Sequence, residues 1–109
     1  MASISIKDLK LKISMSIISY YKNDNDSVND AEKLKRSVIN TVSDIEFYPY
    51  TEDFRIFMID TIGIERACSL FGDIGEARRV IVETLFDEVF ETNKEKYQFL
   101  VKQIHKKNK

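Results

Sequence analysis

Turn-making residues are scarce in this sequence, with three glycines and one proline in 109 positions. A chain with so few backbone breakers is left with long regular elements. Over most of its length the apolar residues recur at steps of three and four, the period of a helix buried along one face. Those two features together predict an all-α, single-domain bundle of about five helices, near residues 6–21, 29–46, 52–71, 74–91 and 93–106. The domain is expected to take in residues 1–109, with 105–109 as a frayed basic tail.

Local signals set these boundaries. Ser5 followed by Asp8 has the spacing of a helix start, as does Asp73 with Glu76, while Thr92 with Glu95 repeats it and either starts the fifth helix or merely bends the chain into it. Ser27 or Asn29 is placed to cap the second helix, and Thr51 the third. Pro49 ends the second, because proline drives the residue before it out of helical geometry. Gly63 is expected to kink or split the third helix, and Gly72 to take the left-handed position beyond its end.

One segment is ambiguous. Leu9, Leu11, Ile13, Met15 and Ile17 alternate with polar residues, which is the pattern of a half-buried strand. Ile6, Leu9, Ile13, Ile17 and Tyr20 also fall on one helical face. Helix is the better reading, since nothing else in the chain offers a strand to pair with.

Composition narrows the function classes. Seventeen basic residues against eighteen acidic ones, with His105 neutral, give a net charge of −1, which argues against a wholesale polyanion binder or a DNA mimic. A lone cysteine cannot form an internal disulfide, and one Cys with one His cannot make a zinc site. No stretch has the length of a signal peptide's apolar core or of a membrane span, so a cytoplasmic location is expected, in its own cell or an infected host's. Lysine outnumbers arginine twelve to five and isoleucine occurs fourteen times, as in proteins of AT-rich genomes such as those of low-GC bacteria and many viruses or phages.

Catalysis has little support. His105 lies among lysines near the C-terminal end, where a general base would be exposed and untuned. Cys68 reads as a small core residue on the face Phe54, Phe57, Thr61, Ile64, Cys68 and Phe71. No catalytic, cofactor-binding or metal-binding residues are expected, and the chain is read as no enzyme. The run Glu83, Asp87 and Glu91 needs nearby positive charge, with Arg79 and the lysines of the last helix as the candidates.

The remaining signal is surplus apolar surface. The helix near 74–91 is apolar almost all round, as a central helix should be. The third helix adds a second stripe, Ile56, Ile59, Ala67 and Leu70, and is entered through the aromatic corner Phe47-Tyr48-Pro49-Tyr50. The expected function is therefore a small adaptor or inhibitor that binds a protein partner or a second copy of itself, as a homodimer. Its interface is placed at Phe47, Tyr48, Tyr50, Phe54, Ile56 and Phe57, because aromatic residues on a fixed corner anchor interfaces. The alternative is a nucleic-acid-binding regulator using Arg78, Arg79, Lys102, Lys106 and Lys107. Residues 67–72 resemble the turn of a helix-turn-helix, but Asp73 and Arg78 then fall where apolar residues are needed.

Overall fold

A computed structural model describes residues 4–23, 31–45 and 47–107. The fold is an all-α bundle of five helices, α1 (Ile6–Asn23), α2 (Ala31–Ser43), α3 (Glu52–Ile62), α4 (Ile64–Leu70) and α5 (Ile74–Lys107). There is no strand among the described residues.

The three long helices α1, α2 and α5 pack on one another, while α3 and α4 close one end against the start of α5. Ion pairs and hydrogen bonds fix the directions. Lys35 of α2 faces Glu83 and Asp87, whereas Phe47, beyond the end of α2, faces Arg78, so α2 runs antiparallel to α5. Lys10 meets Glu88 and Ser14 meets Tyr97, so α1 runs in the same direction as α5. The core is filled by Leu9, Ile13 and Ile17 of α1, Leu34, Val38 and Val42 of α2, and Ala77, Ile81, Val82 and Leu85 of α5. The expected central helix is therefore the first half of α5.

The helix starts at Ser5 and Asp73 form as their spacing predicts. Ser5 Oγ accepts the Asp8 N–H at 3.1 Å, and Asp73 Oδ1 accepts the Glu76 N–H at 3.2 Å, each satisfying a first-turn donor that has no partner inside its helix. Thr51 sits at the N-cap of α3 but caps only through its carbonyl, which accepts from Arg55 N–H at 3.0 Å. The candidate caps Ser27 and Asn29 lie outside the described residues.

Of the two glycine expectations, the one for Gly63 holds and the one for Gly72 needs correction. Gly63 splits the expected third helix in two with φ +91° and ψ 154°, a conformation glycine adopts without a Cβ penalty. It is the only residue with positive φ among the described residues, so Gly72 does not take the left-handed position. The break also changes the phase of the apolar face. Helix α4 restarts with Ala67 buried, leaving Cys68 exposed and Ile64 with 62% of its surface in solvent, so the expected core role of Cys68 fails.

The last two expected helices meet where their spacing places the junction: Asn93 is non-helical (φ −114°, ψ 15°) and kinks residues 74–107 there. Thr92 does not cap a new helix. Its Oγ1 donates to the Glu88 carbonyl at 2.7 Å, and Asn93 Nδ2 donates to the Val89 carbonyl at 2.9 Å. Side chains bonded to carbonyls four residues back bend a helix rather than end it. Beyond the bend Tyr97 still turns inward, with its hydroxyl 2.8 Å from Ser14 Oγ and its ring stacked on Phe90.

Candidate functional site

The structure divides the expected aromatic interface. Phe47 and Phe54 are buried, with ring centres 5.2 Å apart, and belong to the core. Neither can anchor a partner without opening the bundle, which corrects two of the six assigned residues. Tyr50 is half-buried: its hydroxyl donates to the Phe71 carbonyl and its ring meets that of Phe71 edge-on. It ties the corner to the end of α4. Phe57 is partly buried against the core. Tyr48 and Ile56 remain about half exposed, Tyr48 resting its ring edge-on against Tyr50. The corner is thus mostly a plug for the closed end of the bundle. Burying two Phe rings there is worth several kcal/mol, more than an exposed anchor could return.

The expected nucleic-acid contacts divide as well. Arg78 is committed within the fold, its Nε donating to the Phe47 carbonyl at 2.8 Å while its guanidinium lies 5.7 Å from that residue's ring centre. Arg79 is exposed and lines an open groove of about 270 Å³ with Lys35, Arg36, Asn40, Glu32 and Glu83. Lys102 and Lys106 are exposed on the last turns of α5, and the Lys107 side chain lies outside the description.

The acidic run on α5 finds its countercharge on α2 rather than on Arg79 or the last helix. Lys35 Nζ lies 3.0 Å from Asp87 and 3.5 Å from Glu83. Burial acts to lower the Lys35 pKa, but the hydrogen bond and negative charge of Asp87, joined by those of Glu83, outweigh it and leave the pKa raised. Among the described residues no group of three or more His, Cys, Asp and Glu side chains is arranged to hold a metal ion.

The largest surprise is on α1. Its inner residues Leu9, Ile13 and Ile17 are fully buried, while Leu11 and Met15 on the outer side are 59% and 61% exposed. Steps of four and three connect Leu11, Met15, Ile18 and Lys22, so they form one outward stripe along the helix. Met15, Ile18, Ser19 and Lys22 line an open hollow of about 300 Å³. The strand-like alternation of residues 9–17 is therefore two apolar stripes on one helix. Sequence reading assigned none of these outer residues to a site, although the alternation itself was their signature. Since each is already about two-fifths buried, Leu11 and Met15 together forgo roughly 2–4 kcal/mol of burial that a covering surface could recover.

No protein family, curated protein or solved structure gives a match to this chain. No helix among the described residues is long and apolar enough to cross a membrane.

Proposed function

We propose that this chain is a small cytoplasmic, non-enzymatic protein-binding module that docks a partner on the outer stripe of α1. The observation that carries the reading is the pair of stripes on that helix: a full inner set that the core already uses, and a second set, Leu11 and Met15, left in solvent. A stripe with steps of four and three is the shape that a ridge of side chains on a partner helix fits. The hollow beside Met15 and Ile18 gives such a ridge a place to enter. Tyr48 and Ile56 form a lesser exposed set on the other end of the molecule. With Arg78 tied to Phe47, the nucleic-acid reading rests on Arg79 and the α5 lysines alone.

A photo-cross-linking residue at position 15, compared with one at exposed Thr41, tests the assignment in the native cell. Position 15 is expected to capture a discrete protein that position 41 does not. Leu11→Lys with Met15→Lys should abolish the capture while leaving helical circular dichroism and melting temperature within about 1 °C, since neither side chain touches the core. Equal capture at both positions, or none at 15, rejects the docking face.

A further inference from the structure

The charge of the chain is nearly balanced in sum and strongly separated in space. Residues 52–76, which hold α3, α4 and the first turn of α5, carry Glu52, Asp53, Asp60, Glu65, Asp73 and Glu76 against Arg55 and Arg66, a net −4. Residues 94–107 carry five lysines against Glu95, a net +4 with His105 neutral.

Helix α5 connects the two sets. Its 34 residues span about 51 Å at helical rise, against a longest molecular dimension of 50 Å. The acidic set gathers at its start and the basic set at its end, so the molecule is a rod with opposite poles. The ion pairs of Lys10 with Glu88 and of Lys35 with Glu83 and Asp87 lie between the poles, and no described side chain of either pole is in an ion pair.

Each pole also leaves apolar surface open. Ile56 and Ile64 stand out among the carboxylates of α3 and α4. At the other end, beyond the buried Tyr97, each described side chain of α5 is exposed, including Phe99 at 61% and Leu100. That stretch gains most from a surface that covers Phe99 and answers its lysines.

We propose that this surface is the acidic end of a second copy of the chain, with two rods lying antiparallel and the last turns of each α5 crossing α3 and α4 of the other. Such a pair is two-fold symmetric and closed, because both contacts form at once and use up both poles. Parallel pairing would set the two net +4 ends together and the two net −4 ends together, so charge fixes the orientation while Phe99, Leu100, Ile56 and Ile64 supply the buried area. This surface is separate from the α1 stripe, and the two readings fail independently.

The experiment is sedimentation velocity over a concentration series at low and high salt, on the full chain and on two charge-reversed variants. The full chain should reach a limiting mass of twice 12.8 kDa and dissociate as salt rises. Lys102→Glu with Lys106→Glu should raise the dissociation constant by about tenfold or more, and Glu52→Lys with Glu65→Lys should do the same. An equimolar mixture of the two variants should recover the dimer, since the introduced glutamates of one then meet the introduced lysines of the other while the second contact keeps its +4 and −4 ends. All four residues are exposed, so folding is expected to survive and circular dichroism checks it. A monomer at every concentration, a mass that keeps growing past the dimer, or a dimer indifferent to both reversals each overturns the proposal.

Discussion

Arg78 holds Phe47 twice, by a 2.8 Å hydrogen bond from Nε to the Phe47 carbonyl and by placing its guanidinium 5.7 Å from the centre of the same residue's ring. The carbonyl lies where the chain leaves α2 for the Pro49 corner, so one side chain of α5 satisfies a backbone acceptor and roofs a core aromatic together. Lysine can supply the charge but not the planar fork that serves both contacts. Arg78→Lys is expected to destabilise the fold by about 1–2 kcal/mol, read as a fall in the urea midpoint with the slope unchanged. If Arg78 instead served a nucleic-acid surface, the substitution would leave the midpoint where it was.

Gly63 is the hinge between α3 and α4. Its φ of +91° is strained for any residue with a side chain, although a Cβ there would meet nothing within 4 Å. Gly63→Ala should therefore cost about 1–3 kcal/mol through the backbone alone. Gly72 has ordinary φ and the same open surroundings, so Gly72→Ala should be close to neutral and serves as the control. Equal melting temperatures for the two variants would contradict the backbone conformation at 63.

Alkaline pH should loosen the bundle. Burial raises the Tyr21 pKa above its ordinary value near 10, helped by the neighbouring Tyr20 and Tyr97 hydroxyls. Lys35 is also raised, its burial outweighed by Asp87 and Glu83. For both groups the protonated form is favoured by folding, so their contribution is complete below the unfolded values near 10 and fades as pH rises through the folded ones. Stability measured in urea should be flat from pH 7 to about 9 and fall above pH 10. Tyrosinate absorbance should show a phase above the ordinary tyrosine range, and Tyr21→Phe should remove it. A Lys35→Met variant is expected to flatten the fall only slightly, since a half-exposed pair contributes less than about 1 kcal/mol.

Much of the architecture was legible in residue order because the signals are local. Three- and four-residue apolar steps, Ser5 before Asp8 and Asp73 before Glu76 act within one or two turns of backbone, and no distant contact can reverse them cheaply. The same logic found the central helix at 74–91. It failed at Cys68 and Ile64, where Gly63 resets the helical phase by a backbone rotation that periodicity counting cannot register. At Thr92 and Asn93 two polar side chains look like a cap but bond backwards, and whether such residues stop or bend a helix depends on what packs beyond them, here Tyr97 against Ser14 and Phe90.

The candidate surfaces were legible only in part. An aromatic corner is conspicuous in a sequence whether it plugs a core or greets a partner, and Phe47 and Phe54 show the first outcome. The outer stripe of α1 was present as an alternation of Leu11 and Met15 with the core residues, and it looked like a strand because two helical stripes two residues apart mimic a period of two. By itself, the sequence determined that the chain is helical, single-domain and nearly neutral, since propensity, turn content and charge are sums over local residues. Which apolar residues are left over, which arginine is committed and how +4 and −4 come to lie toward opposite ends of the molecule depend on helix directions and on a long helix that bends at Asn93 without stopping, and only the tertiary structure decides those.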